Sequence, residues 1–189
     1  MEEISKAIEI LNQGGIVIFP TDTAYGIGCR IDKEDSVKRL FKIRKRPEEQ
    51  AVPVLINGIG MANDYFQTFP KEVESLMEKY WPGRLTIVYR AKKEKVAELV
   101  RGGGENVGLR MPSNSIILSL IDLTGVPILG PSANFHGEKT PFKKEDLDKN
   151  LIKLVDFVID EEPGGLGVST VLDCTKKPWE VLRQGSVEV

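Results

Sequence analysis

Apolar positions recur at helical spacing near the start of the chain, where Ile4, Ala7, Ile8 and Leu11 share one face. Gly14-Gly15 supplies the residues that end a helix, and IVIF over 16–19 follows as the short apolar run of a buried strand. Residues 36–45 put Val37, Leu40 and Phe41 on one helix face behind Asp35 or Ser36 as cap, and VPVLI (52–56) reads as a second strand. Pro70 suits a first helical turn. Val73, Leu76, Met77 and Tyr80 continue that helix as an apolar stripe to Trp81-Pro82-Gly83, after which LTIVYR (85–90) is a strand. The pattern then predicts a short helix over 94–100, a strand VGLR (107–110), a helix from Asn114 to about Leu123, and a strand VPIL (126–129). LVDFVID (154–160), STVLDC (169–174) and EVLR (180–183) read as later strands, and the polar stretch 133–150 as a long surface loop. Strands interleaved with helices predict an α/β (α+β) domain on one mixed sheet.

Composition narrows this picture without changing it. The 189 residues hold 26 Lys+Arg against 28 Asp+Glu, a net charge of −2, and 41% are hydrophobic. A chain of this length buries roughly 70% of its unfolded surface, enough for a single domain over 1–189 without staples. Two distant cysteines, Cys29 and Cys174, and one histidine, His136, cannot assemble zinc-ligand spacing. The start MEEISKAIEI carries two acids in place of a basic segment, and no apolar run approaches 18 residues. The expectation is a soluble, cytoplasmic, reduced protein with no membrane partner. Its near-neutral charge argues against a protein that coats nucleic acid over its whole surface but permits one local basic patch.

Neither GxxxxGK[ST] nor GxGxxG occurs, which removes the two commonest phosphate cradles; Gly102-Gly103-Gly104 and Gly164-Gly165 read as plain turns. Cations concentrate in KRLFKIRKRP, at Lys38, Arg39, Lys42, Arg44, Lys45 and Arg46. A solvated helix face would explain them. However, Lys42, Arg44 and Arg46 share a face only on an extended chain, and Pro47 favours such an ending; alternating cations would then point together at a triphosphate or an RNA backbone. FPTDTAYGIG (19–28) offers Thr21, Asp22 and Thr23 in a turn that glycines leave open to a ligand. PSANFHG (131–137) places Ser132 and Asn134 at the carboxyl end of a strand, where sheet proteins hold ligands, although an Asx or Ser turn accounts for them equally. Arg110 and Arg183 each end an apolar strand, as carboxylate clamps or as surface salt bridges. His136 reads as a loop residue, and Trp81, Trp179, Tyr65 and Tyr80 as core or rim aromatics.

Taken in order, GGIVIFPTDTAYGIG, the segment ending in RKRP, WPGRLTIV, VGLRMPSN, VPILGPSAN, STVLDCT and VLRQGS resemble the YrdC-like family, over residues 14 to 186. That resemblance implies a twisted mixed β-sheet with flanking helices and a concave basic cavity. It implies an L-threonylcarbamoyladenylate synthase, a nucleotidyltransferase joining L-threonine, bicarbonate and ATP, with Mg²⁺ on the ATP. The product would serve a tRNA-modifying transferase partner acting on adenosine 37, with tRNA contact left open. By position, Thr23, Arg110 and Ser169 would hold threonine. Lys42, Arg46, Asn106, Ser132, Asn134, Thr140 and Arg183 would bind ATP, and Arg44 and Arg46 would be the catalytic cations. The family's Lys-x-Arg is here Arg44-Lys45-Arg46, which exchanges an ammonium for a planar fork. Asn106 stands where a threonine often occurs. An RNA-binding module and a paralogue of the same fold with altered chemistry are the competing readings.

Overall fold

A computed structural model describes residues 2–165 and 167–189. In chain order the elements are α1 (Glu2–Asn12), β1 (Val17–Pro20), β2 (Tyr25–Gly28), α2 (Glu34–Arg44), β3 (Val54–Leu55), α3 (Ile59–Tyr65), α4 (Lys71–Tyr80), β4 (Leu85–Arg90), β5 (Asn106–Arg110), α5 (Ser115–Thr124), β6 (Ile128–Leu129), a 3₁₀ turn (Lys144–Asp146), α6 (Lys149–Ile152), β7 (Phe157–Val158), β8 (Thr170–Asp173) and β9 (Glu180–Arg183).

The pattern predicts one mixed sheet; the described residues build two. β1 and β2 form an antiparallel hairpin with β7 parallel on the far side of β1, and the other six strands run β6-β3-β5-β4-β8-β9. The two sheets meet along a seam where Ile27 N–H donates to Pro131 O (2.9 Å), Leu129 N–H to Cys29 O (2.9 Å) and Ile31 N–H to Pro127 O (3.0 Å). Pro127 and Pro131 have no N–H to return, so the ladder is reduced to isolated bridges, Gly26 to Ser132 and Arg30 to Ile128. Gly28 allows the close approach, since a Cβ there would run into the Leu129 carbonyl.

One core lies beneath α1 and α5: Ala7 and Leu11 meet Ile117, Leu120 and Ile121 over Val17 and Phe19 of the smaller sheet and Ile128 of the larger. Burying each leucine contributes roughly 1.5–3 kcal/mol. The larger core takes Val37, Leu40 and Phe41 from α2, Val73 and Met77 from α4, and the inner residues of β4 and β5. Asn114 caps α5 by accepting from Ile116 N–H at 3.0 Å and Ile117 N–H at 3.3 Å, and Gly125 ends it at φ 70°.

Several local expectations change. Residues 94–100 form turns, although Val96 and Val100 still point into the core. α2 begins at Glu34, so Asp35 and Ser36 are not its cap, and the Ser36 hydroxyl donates instead to Gly14 O at 2.7 Å. Residues 25–28, read as part of a glycine-rich turn, are a strand whose side chains are buried on both faces. The polar stretch 133–150 contains the 3₁₀ turn and the start of α6, which Asp148 caps. No helix of the described residues is long and apolar enough to cross a membrane.

Candidate functional site

The cations of residues 38–46 separate in the fold. α2 remains helical through Arg44, so the expected extended, alternating arrangement does not form. Residues two apart on a helix lie on nearly opposite sides, which turns Lys42 out and Arg44 in. Lys38 pairs with Glu34 at 2.7 Å, and Arg39 with Asp156, just before β7, at 2.6 Å. Lys42 lines a broad outer groove of about 800 Å³, where Lys38, Lys42, Lys45 and Arg46 face Glu34, Glu48, Glu49 and Glu98. Equal numbers of acids and bases make that groove, although large, a poor place for a polyanion.

Arg44 is 3% exposed and stands at the core of the turn after β6. Its Nε donates to Asn134 O at 3.0 Å and its Nη2 to Asn134 Oδ1 at 3.1 Å. Asn134 Oδ1 also accepts from Ser132 Oγ at 2.7 Å, and His136 N–H returns to Arg44 O at 2.7 Å. No carboxylate among the described residues balances Arg44, and its Nη1 is buried without a partner. Burial, then the neighbouring charge of Arg46, pulls its guanidinium down to about 10. Arg44 and Asn134 thus lock the 131–137 turn onto α2, and neither is among the residues that line the two hollows beside it.

Lys45 turns the chain. It occupies the left-handed region at φ 53°, with its N–H donating to Lys42 O at 3.1 Å and Arg46 N–H to Phe41 O at 3.0 Å, and its Nζ lies 4.9 Å from the Phe135 ring centre. A side chain held there carries about 1–2 kcal/mol of backbone strain. Lys45→Val, β-branched, is therefore expected to be about 1–2 kcal/mol less stable than Lys45→Gly in urea unfolding. Equal midpoints would mean the turn relaxes when Lys45 is replaced.

Two hollows open beside this turn. The smaller, about 80 Å³, is lined by Thr21, Thr23, Thr86, Arg110, Ser132, Thr140, Ser169 and Arg183 among others. The hairpin turn after β1 brings Thr23 in. Thr21 Oγ1 donates to Ala24 O at 2.7 Å and accepts from Thr23 N–H at 3.1 Å, so Thr23 is set by backbone-bound hydroxyls. Arg110, ending β5, is 6% exposed; it donates from Nη1 to Thr23 Oγ1 (3.0 Å), from Nε to Gly83 O (3.0 Å) and from Nη2 to the Asp22 carboxylate. A guanidinium has five N–H groups, so one on each terminal nitrogen stays available for a second carboxylate. Burial lowers the affinity of Arg110 for its proton, as do the charges of Arg84 and Arg183, and Asp22 opposes both. On the other wall Ser169 Oγ lies 3.0 Å from Thr86 Oγ1 and accepts from Arg183 Nη2 at 2.9 Å.

The larger hollow, about 420 Å³, is lined by Arg46, Asn106, Gly108, Val88, Val171, Leu182 and Arg183 among others. Alternation places Thr86 and Val88 of β4, and Asn106, Gly108 and Arg110 of β5, on one sheet face, so both hollows sit on the same concave surface. Pro53, Thr86 and Arg183 line both. Arg46 reaches the larger hollow with Nε donating to Gln50 O at 3.1 Å and Nη2 to Ala51 O, while Nη1 lies 3.4 Å from His136 Nδ1.

The structure therefore gathers Thr23, Arg110, Ser169, Ser132, Thr140 and Arg183 around one hollow and Arg46, Asn106 and Arg183 around the next. It leaves Lys42 outside and sets Arg44 and Asn134 behind. Thr86 escapes a reading by sequence because it looks like any strand threonine; only its place on the Val88 face marks it.

The profile of the Sua5/YciO/YrdC family, described as telomere recombination, matches residues 9–185, and the chain belongs to that family. A threonylcarbamoyl-AMP synthase of Bacillus subtilis is 34% identical over 186 residues, 98% of this chain and 54% of the relative. The Pyrococcus abyssi Sua5 structure complexed with L-threonine superposes with a TM-score of 0.87 at 32% identity, over 96% of this chain and 54% of that one. The uncharacterized protein YciO of Escherichia coli is 30% identical over 98% of this chain and 90% of its own length. The chain thus spans about half the length of the two synthase-type relatives and most of YciO.

Proposed function

We propose that the protein forms L-threonylcarbamoyl-AMP and pyrophosphate from L-threonine, bicarbonate and ATP, for N6-threonylcarbamoyl modification of adenosine 37 in tRNA by a separate transferase. The observation that carries this reading is the shared wall. A small, hydroxyl-rich hollow with the partly committed Arg110 adjoins a larger arginine-lined one, with Arg183 and Thr86 between them. That is the geometry needed to bring an amino-acid carbamate to the α-phosphorus of a nucleotide.

In this reading Arg110 takes the threonine carboxylate, with Thr23 and Ser169 completing the pocket. The threonine amine and bicarbonate give an N-carboxylate and water. A carbamate oxygen then bonds to the α-phosphorus as the bond to the pyrophosphate oxygen breaks, and the leaving charge falls beside Arg46 and Arg183. Asn106 supplies a neutral donor to the nucleotide; Ser132 and Thr140 contact it from the small-hollow side. Positioning and charge stabilisation supply the rate, which suits a site without a nucleophile and base pair. Mg²⁺ would enter with the substrate as MgATP and offset the charge of the triphosphate. The relatives named synthases, and the Sua5 structure bearing L-threonine, support the substrate assignment.

Purified protein is expected to release pyrophosphate from ATP only when both threonine and bicarbonate are present, with threonylcarbamoyl-AMP detected by mass spectrometry. Release that ignores either co-substrate overturns the proposal, and tight duplex RNA binding without turnover would favour a nucleic-acid module instead.

A further inference from the structure

Three arginines line the larger hollow, and one of them, Arg101, lies outside the strands and outside the basic run. Arg101 immediately precedes the Gly102-Gly103-Gly104 turn, which looks like simple punctuation in the sequence. In the fold its Nε donates to Val96 O at 3.0 Å and its Nη1 to Gly104 O, which fixes the plane of the guanidinium at the wall of the hollow. Arg46 is held in the same manner by Gln50 O and Ala51 O, and Arg183 by Ser169 O at 2.8 Å. Among the described residues none of the three has a carboxylate within ion-pair distance. Glu105, the one acid lining the hollow, is engaged by Lys93.

Arg101 and Arg46 are also built as a pair. Gly102 is left-handed at φ 59° and packs backbone to backbone on residues 49–51, where a Cβ would run into Ala51 and Glu49. Val52 N–H donates to Val100 O at 3.0 Å across the same junction. The carbonyls that anchor Arg46 thus sit on the segment against which the Arg101 turn is pressed. Guanidinium groups oriented by backbone carbonyls and left without counter-ions retain their charge for a ligand, and three of them in one hollow suit a polyanion better than a monoanion.

We propose that Arg101 is a phosphate-binding residue, the third guanidinium around the tail of the nucleotide, and that it makes the site selective for triphosphate over monophosphate. This rests on the nucleotide reading above. In that arrangement Arg183 lies toward the threonine hollow, and Arg46 with Arg101 holds the part of the triphosphate that departs as pyrophosphate.

The test is calorimetric titration of the whole protein with ATP, AMP and inorganic pyrophosphate, each with Mg²⁺. Arg101→Ala and Arg101→Gln are expected to weaken ATP and pyrophosphate binding by about tenfold, the loss of one charge-assisted hydrogen bond. AMP affinity and the melting temperature are expected to stay unchanged, and Arg101→Lys to recover part of the loss. Equal weakening of AMP and ATP in both variants would assign Arg101 a merely structural role in its turn and overturn the proposal. Parent-like ATP affinity in both variants would overturn it while leaving the nucleotide reading intact; failure of the parent protein to bind ATP or pyrophosphate would overturn both.

Discussion

Asp22→Ala is expected to lower the unfolding free energy by about 2 kcal/mol, read as a lower urea midpoint at unchanged slope. Asp22 and Arg110 are 7% and 6% exposed, and the Asp22 carboxylate is the only one among the described residues that meets Arg110. Breaking a buried pair from one side costs about 3–5 kcal/mol, because the remaining charge is stranded away from water. Part of that is offset here. Asp22 Oδ2 is buried without a partner, so its removal relieves an unsatisfied acceptor worth about 1–3 kcal/mol. The bonds of Arg110 to Gly83 O and Thr23 Oγ1 persist and soften the loss. Asp22→Asn keeps an acceptor for Nη2 without the charge and should fall between the parent and the alanine variant. An alanine variant as stable as the parent would show that Arg110 tolerates its burial without Asp22, and the account of this pocket's electrostatics would fail.

Much of the fold is legible where the chain states one preference strongly. α4 runs between Pro70 and Trp81 as its apolar stripe implies, β4 occupies the whole of LTIVYR, and Asn114 and Gly125 mark both ends of α5. Legibility fails where tertiary context outweighs local preference. Tyr25–Gly28 has two glycines, which weaken a strand in isolation, yet each is needed where it stands: a Cβ on Gly28 would run into the Leu129 carbonyl at the seam with β6, and one on Gly26 into the Phe19 ring of β1. Val96 and Val100 carry the spacing of a helix but are buried by turns whose amides close locally, Val96 N–H on Lys92 O at 3.1 Å and Val100 N–H on Ala97 O at 3.1 Å. The division into two sheets depends on Pro127 and Pro131 interrupting a ladder, which no periodicity displays.

The site shows the same division. Thr23, Arg110, Ser169 and Arg183 sit at strand ends, so a sequence that fixes the strands also fixes where these side chains project. The basic run gives no such guide. Its helix continues two residues beyond the last common face, so that neighbours in sequence take unlike roles: Lys42 faces solvent, Arg44 braces a turn, Lys45 caps the helix and Arg46 enters the hollow. Arg101 is missed for the opposite reason, being far in sequence from every other cation of the hollow it joins.

Arg46→Ala is expected to reduce pyrophosphate release, as kcat/KM for ATP, by about 10²-fold with a melting temperature close to the parent's, the usual effect of removing one donor aimed at developing charge. Arg46 is suited to that role by exposure and anchoring together. Its bonds run to backbone carbonyls of Gln50 and Ala51, which its loss leaves free to take up water, and burial makes its proton easier to lose. Arg46→Lys keeps the charge but not the planar fork and should recover only part of the rate. Arg44→Ala should behave differently. It removes the brace that holds Asn134 and, through it, Ser132, so activity falls together with increased protease sensitivity of residues 131–140, while relief of an uncompensated buried charge offsets the lost hydrogen bonds in overall stability. A pH profile separates the two further. The folded state holds Arg44 near 10, below the ordinary arginine value, so its burial penalty is complete below about pH 10 and fades over the pH range above it. The parent should therefore lose less stability across that window than Arg44→Ala. If Arg46→Ala retains full activity while Arg44→Ala abolishes it with the 131–137 turn intact, the buried guanidinium is the one that meets the nucleotide, and the assignment of the two arginines is reversed.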